Sequence, residues 1–288
     1  MDSNRAVKVV GMRKPVGPSH RKSVWCRVVN GDAGPKSTVR ATLHDVRERS
    51  RSTLFVPLVI TCQFRGDQWT TPVRVQLMAE DASVTLNVDS SQWGCSLAKC
   101  VPLLYGWPDL AFIHSMMAVS AKYGVDHFQI YAHPRAFQQL RHDGTLAGFK
   151  VTVKLWDLPV ETFQVWYYGQ MIMLQDCLYS HRQRADYLLV ADLDEYLLHP
   201  TQPLLPALDH ESDNVAAWMV ASVNGGCCSG TAVPDKAPDW RLTKYIVRPS
   251  RVKSLGVHNI GSYEEGHFTC ANLSHISAAI VHCDRACS

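Results

Sequence analysis

The sequence predicts an α/β protein with a mostly parallel sheet and helices on both faces, preceded by a small antiparallel β unit. From about residue 95, apolar strand-like runs alternate with helical segments, which is typical of βαβ units. From 54 to 93, short β-branched runs alternate with turn residues, which is typical of antiparallel strands. We therefore expect a basic irregular segment at 1–53, a β-rich unit at 54–93 and an α/β domain at 94–288.

The elements of the α/β domain are predicted from periodicity and from the residues that end each run. A strand at 100–106 is followed by a helix at 108–124, which Asp109 caps and Gly124 ends. The later elements are predicted as strand 127–132, helix 135–144, strand 150–158, helix 162–185 and strand 186–194. The last strand lacks polar alternation, as expected for a strand covered on both faces.

Composition excludes several classes of protein. Hydrophobic residues make up 46% and charged residues 19%, an ordinary globular balance. The formal net charge of +3 gives no indication of nucleic-acid binding. Residues 1–53 nevertheless hold 12 Lys/Arg against 4 Asp/Glu. This basic segment is either a solvated tail or a stretch that lies near an anionic membrane surface.

The sequence leaves the cellular location of the protein undecided. No apolar run approaches the roughly 20 residues of a spanning helix, and the N-terminus lacks the apolar core of a signal peptide. The protein is therefore either cytoplasmic or separated from its anchor. Ten cysteines without a Cys-x-x-Cys pair indicate either disulfides in an oxidising compartment or buried thiols.

Three acids follow the last predicted strand, in the stretch YLLVADLDEYLLHP at 187–200. Ligands of an open parallel sheet bind beyond the carboxyl ends of its strands, where Asp192, Asp194 and Glu195 lie. Asp192 and Asp194 lie on one side of the chain, about 6–7 Å apart. Carboxylates so placed suit Mg²⁺ or Mn²⁺ together with substrate phosphates. The alternative is a loop exit whose acids cap a turn.

Candidate partners for this site lie in the C-terminal third of the chain. His258 and His282 each end a short apolar run, and either imidazole could join a metal site. Four basic residues could neutralise a leaving diphosphate or could lie on a solvated face: Lys244, Arg248, Arg251 and Lys253.

Four segments, in order, resemble glycosyltransferase family 92 over roughly residues 95–285. They are CVPLLYGWPDLAFIHSMMAVSAKYGVDHFQIYAHP, DCLYSHRQRADYLLVADLDEYLL, KYIVRPSRVKSLGVHNI and IVHCDR. The resemblance implies a GT-A fold and a metal-dependent, inverting transfer of a hexose, galactose in particular, from a UDP-sugar to a glycan. It also implies a Golgi membrane protein of type II topology, although no anchor is visible in this chain.

The resemblance also implies roles for individual residues. Asp192 contacts the ribose or the metal, Asp194 ligates Mn²⁺ or Mg²⁺, and His258 is the additional metal ligand. Glu195 orients the loop. Apart from the resemblance, Lys244 and Arg248 are the candidates among the four basic residues for binding the donor nucleotide.

The general base is left open between Glu264 and Glu265, in a glycine-flanked loop that could close over the donor. Cys283 and the stretch NGGCCSG at 224–230 depart from the family pattern, which puts the acceptor in doubt.

Two other functions remain possible. A non-catalytic glycan-binding or scaffold protein could keep this fold, although it would have no reason to hold three acids together. A metal-dependent phosphohydrolase would require an acid pair after the first strand, where only Asp109 is found.

Overall fold

The computed structural model divides the chain into two compact units, Met1–Trp93 with Phe163–Trp166, and Gly94–Thr162 with Tyr167–Ser288. The structure describes residues 4–14, 23–29, 38–46, 55–65, 74–80, 82–88, 93–106, 108–142, 144–161, 164–198, 204–210, 212–226, 233–234, 239–266, 269–272 and 279–283. The division after Trp93 falls where we placed the start of the α/β domain. Within the described ranges, no helix has the length and apolar character needed to cross a bilayer.

The smaller unit consists of two antiparallel sheets. Its strands are β1 (Asn4–Arg13), β2 (Trp25–Val29), β3 (Thr38–Arg40), β4 (Thr42–Asp45), β5 (Val56–Arg65), β6 (Arg74–Ala79) and β7 (Ala82–Asn87). They pair in the orders β1-β5-β4 and β3-β2-β6-β7. Alternate residues of β5, Leu58, Ile60, Cys62 and Phe64, form one buried core with Val75 and Leu77 of β6. A disulfide between Cys26 of β2 and Cys62 of β5 joins the two sheets.

The prediction of an irregular segment at 1–53 is wrong, because four of these strands lie in it. Strand β1 pairs with β5 along its whole length, so residues 1–53 and 54–93 form one unit. In β1 the basic Lys8 alternates with Val7, which is buried, and Val9, which packs against the core. This alternation is the period-2 pattern of a half-buried strand, which the sequence-based prediction overlooked.

The larger unit is built on a ten-stranded mixed sheet. Its strands are β8 (Cys95–Leu104), β9 (His127–Ala132), β10 (Val151–Leu155), β11 (Ala185–Val190), β12 (Glu195–Leu198), β13 (Val215–Gly226), β14 (Val233–Pro234), β15 (Asp239–Val247), β18 (Thr269–Asn272) and β19 (Ala279–Cys283), with β16 (Val252–Leu255) and β17 (Ile260–Tyr263) forming a separate hairpin. The main order is β10-β9-β8-β11-β15-β13-β19-β12, with β14 and β18 paired to β13. Strands β10, β9, β8 and β11 are parallel, and β15 runs antiparallel to β11.

Helices cover both faces of this sheet, as predicted. They are α1 (Leu110–Lys122), α2 (Pro134–His142), α3 (Gln170–His181) and α4 (Leu204–Asp209). One core contains Ile113 of α1, Leu140 of α2 and Leu208 of α4. Helix α3 packs on the opposite face, where His181 and Asp176 meet His127 and Tyr131 of β9. The α/β fold class is thereby confirmed.

The helix boundaries follow the predicted signals except at α3. The Asp109 carboxylate accepts the Phe112 N–H at 3.1 Å, and Gly124 adopts a φ of 99° after α1. Helix α3 begins at Gln170 rather than 162, because Tyr167, Tyr168 and Gly169 have positive φ values of 43°, 58° and 81°. A left-handed backbone cannot continue a right-handed helix.

The parallel strands of this sheet begin at one edge and end at the other. The carboxyl edge is where β8, β9, β10 and β11 end, and the amino edge is where they begin. The chain leaves β8 toward β9 and β10 on one side, while β11 lies on the other side of β8. Such a reversal of strand order is a topological switch point, beyond which ligands of open α/β sheets bind.

Candidate active site

The acidic triplet forms a tight turn at the carboxyl edge of the sheet. The buried Glu195 side chain accepts the Asp192 N–H at 2.8 Å, and the Glu195 N–H donates to the Asp192 carbonyl at 3.2 Å. Asp192 and Asp194 are partly exposed. Glu195 therefore fixes the turn, which directly follows the carboxyl end of β11.

Lys244 joins this turn from the neighbouring strand β15. Its Nζ lies 2.8 Å from Asp192 Oδ2 and 3.0 Å from Glu195 Oε2. Burial alone would lower the pKa of Lys244, but the carboxylates of Glu195 and Asp192 outweigh burial and raise it. Burial also raises the pKa of Glu195 above its usual range. The sequence predicted Lys244 for this site, and the structure places it there as the ion-pair partner of two of the acids.

A second lysine, in β8, contacts the main chain of the turn. Lys99 lies within β8 with only 1% of its surface exposed, and its Nζ donates to the Glu195 carbonyl. Burial lowers the pKa of Lys99 to about 8, against the opposing effect of Glu195. Sequence reasoning missed this residue because the predicted strand began at residue 100. The available signal was a single lysine inside the apolar run SLAKCVPLL.

His258 reaches the same region from the tip of the β16–β17 hairpin. Its Nδ1 lies 3.1 Å from the carbonyl of Thr243, the residue before Lys244, and the Thr243 hydroxyl donates to the His258 carbonyl. Because a carbonyl only accepts, Nδ1 carries a proton, and in the neutral imidazole Nε2 then has the lone pair. This is the usual arrangement of a metal-binding histidine.

Helix α3 holds this hairpin through one polar face. Gln175 bonds both the N–H and the carbonyl of Leu255, at 3.1 and 2.8 Å. Tyr179 donates to the Lys253 carbonyl, and Arg182 donates to the Val252 carbonyl. The spacing of four and three residues places the three side chains on one side of the helix. The position of the hairpin, and of His258 at its tip, therefore depends on α3.

The residue types of the site fit Mg²⁺ or Mn²⁺, but a three-residue metal cluster is not assembled. Among the residues that the structure describes, no group of three His, Cys, Asp or Glu side chains is close enough to hold a metal. These ions are usually bound by one or two carboxylates together with substrate phosphates. Asp192 and Asp194 suffice for a site of that kind, whereas the role of His258 stays a prediction.

Arg248 does not belong to the site, contrary to the prediction. Strand β15 is antiparallel to β11, so Arg248 lies about 13 Å from Lys244, toward the amino edge. It is buried and donates to the carbonyls of Val215 and Leu208 at 2.8 and 3.2 Å. Its guanidinium also lies 4.9 Å from the Trp218 ring. Arg248 therefore connects elements of the fold, and both of its terminal nitrogens have partners there.

Glu264 and Glu265 do not lie beside the aspartates either. Glu264 forms an ion pair with Arg182 at the C-terminal end of α3, and its N–H bonds the Arg251 carbonyl at 2.9 Å. The exposed Glu265 follows it. Helix α3 ends where β11 begins, so both glutamates lie at the amino edge. The prediction of a base at these residues is therefore wrong.

The remaining basic candidates also lie near the amino edge. Arg251 pairs with Asp213 at 3.3 Å, and Lys253 lies 3.8 Å from Glu264. His282 is in β19, but its side chain lies outside the described residues, as does most of the NGGCCSG stretch. Asp109 is used as the cap of α1, so the acid pair required of a phosphohydrolase is not found after β8.

Comparison with known proteins decides the family. The glycosyltransferase family 92 profile matches residues 96–285, about two thirds of the chain. The chain belongs to glycosyltransferase family 92. The order of motifs predicted this family, and that prediction is confirmed.

Individual relatives are distant from this family 92 chain. A β-1,4-galactosyltransferase of Caenorhabditis elegans, galt-1, is 23% identical over 208 residues, which cover 65% of this chain and 47% of the relative. The match thus spans about half the length of that protein.

Similar solved structures include glucosyl-3-phosphoglycerate synthase of Mycobacterium tuberculosis. It is 15% identical with a TM-score of 0.35, covering 67% of this chain and 73% of the other. HddC of Yersinia pseudotuberculosis is 12% identical with a TM-score of 0.32, and the match covers 60% of this chain and 82% of the other. We draw nothing about function from likenesses of that size.

Proposed function

We propose that this protein transfers a hexose from a UDP-sugar to a glycan acceptor, with Mn²⁺ or Mg²⁺ bound beside Asp192 and Asp194. The observation that carries the proposal is the acidic turn, formed by Asp192, Asp194 and Glu195. It lies at the carboxyl edge, next to the switch point between β8 and β11, and Lys244 forms an ion pair with it. Membership of family 92 supports the reaction class. The name of the C. elegans relative supports galactose as the hexose.

The chain's own residues prepare this site before any ligand binds. Glu195 and Lys244 fix the main chain and one carboxylate oxygen of Asp192, and the partly exposed carboxylates of Asp192 and Asp194 lie in the same turn. Preorganised charges of this kind act on the transition state without reorganising during the reaction. A divalent cation there would supply positive charge to the departing diphosphate.

Lys244 has a further effect on the leaving group. Its ammonium already neutralises part of the charge of the acids, so a diphosphate approaching the turn meets less repulsion than three free carboxylates would exert. In an inverting transfer, the acceptor hydroxyl attacks from the face of the sugar opposite the diphosphate and loses its proton to a base. With Glu264 and Glu265 at the amino edge, that base belongs to another part of the chain.

Titration calorimetry with UDP, with and without Mn²⁺, tests the proposal, together with a screen of UDP-hexoses for hydrolysis and transfer. We expect UDP binding that depends on Mn²⁺. Asp194→Asn should weaken it at least about tenfold, the lower end of the effect of losing even an indirect metal partner. Asp213→Asn, an exposed acid near the amino edge, is the matched control and should bind as the wild type does.

Other outcomes would identify the alternative functions. Binding of glycan without turnover of any UDP-hexose would indicate a non-catalytic glycan-binding or scaffold protein. Release of phosphate from simple esters would indicate a phosphohydrolase. Activity that persists in both Asp192→Asn and Asp194→Asn would show that the acids only shape the turn.

We also propose that the protein works at Golgi or other secretory-pathway membranes rather than in the cytoplasm. Two disulfides, Cys26–Cys62 and Cys100–Cys177, support this location, because disulfides persist in oxidising compartments.

A further inference from the structure

A cavity of about 870 Å³ opens at the amino edge of the larger unit, at the end of the parallel strands opposite to the acidic turn. The first residues of β8 and β11 form part of its wall, together with the residues that follow α3 and the turn that follows β15. Small-molecule sites in proteins have volumes of about 300–1,000 Å³, so this cavity has room for a ligand of that size. We call it the amino-edge cavity.

The wall of the cavity is polar and electrically balanced. Of the residues that line it, four are arginines and four are aspartates. An apolar ligand would take these charges out of water without replacing their hydrogen bonds, which costs free energy. A strongly charged ligand of either sign would gain little, because the opposite charges of the wall nearly cancel. The composition therefore favours a neutral ligand with many hydroxyl groups.

The fold fixes two of the aspartates and uses only a part of their capacity to accept hydrogen bonds. The Asp126 carboxylate accepts the N–H groups of Ser96 and Leu97 at 2.9 and 3.1 Å. The Tyr187 hydroxyl donates to Asp209 at 2.6 Å. A carboxylate offers about four acceptor positions, so both side chains retain positions for the donors of a ligand.

Arg182 supplies a donor whose position is set before any ligand binds. Its guanidinium donates to the carbonyls of Val252 and Ser250 at 2.8 and 3.0 Å and forms an ion pair with Glu264. A guanidinium carries several N–H groups in one rigid plane. Groups that are already ordered lose little conformational entropy on binding, which favours recognition at this wall.

Asp186 and Gln183 add side chains that the fold does not use. Both are exposed and line the cavity, and among the residues that the structure describes neither side chain has a hydrogen-bond partner. Burial raises the pKa of the Cys95 thiol to about 12, and Asp126 and Asp186 raise it further, which places both carboxylates near this point of the wall. A carboxylate accepts hydrogen bonds and an amide both donates and accepts them, so the two kinds of group lie side by side.

We propose that the amino-edge cavity binds a neutral oligosaccharide. Each sugar hydroxyl both donates and accepts hydrogen bonds, and the mixed arginines and aspartates of the wall supply partners of both kinds. Asp186 and Asp192 are six residues apart in sequence, which is about 20 Å at the rise of a strand. A ligand of the cavity therefore does not take the place of the sugar donor, and the assignment goes beyond the proposed function.

Saturation-transfer NMR and calorimetry with neutral trisaccharides test the assignment, with maltotriose, cellotriose, triacetylchitotriose and β-1,4-galactotriose as the probes. We expect at least one of them to bind in the absence of Mn²⁺ and UDP. Asp186→Ala should weaken that binding about tenfold, which is about 1.4 kcal/mol and close to the lower end of what a hydrogen bond to a charged group contributes. Ser250→Trp, at an exposed residue of the wall, should abolish it by filling the cavity.

Two control variants match these substitutions outside the cavity. Glu265→Ala removes an exposed acid at the amino edge, and Ser115→Trp places the same large ring on an exposed position of α1. Both should bind the trisaccharide as the wild type does. Circular dichroism and Mn²⁺-dependent UDP binding should be the same in all the variants, which reports on the fold and on the donor site. Asp186→Ala, a surface substitution, decides the matter should Ser250→Trp fail to fold.

Other results overturn the assignment. A wild-type protein that binds none of the trisaccharides has no such site, and binding that persists in both Asp186→Ala and Ser250→Trp lies elsewhere on the molecule. Binding of inorganic sulfate in place of the trisaccharides, lost in Ser250→Trp, would identify an anion site. Binding of trisaccharide in the cavity without any binding of UDP would contradict the proposed function alone, whereas the reverse result would contradict the cavity assignment alone.

Discussion

At the scale of single residues, Lys244 is the cation on which the acidic turn depends. It is 5% exposed and contacts both Asp192 and Glu195, and Glu195 is 6% exposed. Removing one partner of a buried ion pair leaves an uncompensated charge, which typically costs about 3–5 kcal/mol. Asp192 is partly solvated and recovers some of that cost, so the loss here belongs at the lower end.

We therefore expect Lys244→Met to lower the free energy of unfolding by about 3 kcal/mol, as measured by urea denaturation. The matched control is Arg251→Met, whose partner Asp213 is 96% exposed. Exposed pairs contribute about 0–1 kcal/mol, although Arg251 also bonds backbone carbonyls, so a small loss is expected there. Equal losses in the two variants would show that the Lys244 contacts add nothing beyond ordinary packing.

Residue-scale predictions from sequence succeeded where the chain direction was already known. The acids follow a parallel strand, so their place at the carboxyl edge followed from periodicity alone. Arg248 and Glu264 were misplaced because they directly follow β15 and β17, strands whose direction periodicity does not reveal. Lys244 lies within the antiparallel strand β15 and Arg248 follows its end, so Lys244 reaches the site and Arg248 lies toward the amino edge.

At the scale of elements, α3 supports the site through the β16–β17 hairpin. The Gln175 amide is fully buried and satisfies two backbone groups of Leu255. An unsatisfied buried polar group costs about 1–3 kcal/mol. Gln175→Leu should therefore lower the free energy of unfolding by about 2 kcal/mol or more, and should shift His258 away from Thr243.

Urea denaturation measures the first effect, and the NMR chemical shift of the His258 imidazole measures the second. Tyr179→Phe is the control, because it removes a single bond to the Lys253 carbonyl at a more exposed place on the same helix face. It should cost less than about 1 kcal/mol. A His258 signal that is unaltered in Gln175→Leu would show that the hairpin tip is held by other contacts.

The interface of α3 with the sheet also predicts a dependence on pH. His181 of α3 and His127 of β9 are buried, with 3.2 Å between His181 Nε2 and His127 Nδ1, and His127 bonds Thr152 at 3.1 Å. Burial lowers the pKa of each to about 4. Asp126 raises the pKa of His127 in opposition, while Lys154 and Arg184 add to the lowering at His181.

The sign follows from proton binding. Between pH 6.5 and pH 4 the unfolded chain takes up protons at these histidines and the folded chain does not. The contribution of the two neutral histidines to the free energy of unfolding is therefore fully present above pH 6.5, and it is lost as the pH falls toward 4. Each unit of lowered pKa corresponds to about 1.4 kcal/mol. The free energy of unfolding should therefore drop between pH 7.5 and pH 5, and His181→Gln should reduce that drop. His142→Gln, at an exposed site on α2, should not reduce it.

Elements whose pattern was strong were predicted closely, and those shaped by tertiary contacts were not. Strand β9 has the predicted bounds, and α1 has the predicted cap. The start of α3 was missed because left-handed tyrosines stop the helix although the sequence TFQVWYYG has an amphipathic pattern. Strands β1 to β4 were missed because their short period-2 runs lie among basic and Gly/Pro-containing stretches.

At the scale of the whole molecule, each unit contains one disulfide among the residues that the structure describes, and both join elements that are distant in sequence. Cys26 and Cys62 are 36 residues apart and join the two sheets of the smaller unit. Cys100 and Cys177 are 77 residues apart and tie β8 to α3 in the larger unit. Such cross-links commonly contribute about 2–4 kcal/mol, chiefly by restricting the unfolded chain. Connectivity of this kind could not be read from ten cysteines in sequence, because it depends on which strands meet across a core.

The disulfides connect the fold to the proposed location in the secretory pathway. Alkylation of the denatured, unreduced protein, purified from its native compartment, should label Cys95 as a free thiol and leave Cys26, Cys62, Cys100 and Cys177 unlabelled until reductant is added. Peptide mass spectrometry would identify the two cross-linked pairs. The cytosol keeps thiols reduced, so label on all four cysteines before reduction would contradict a secretory location while leaving the fold and the acidic turn unaffected. Cys95 serves as the internal control, because its labelling shows that the reagent reached the unfolded chain.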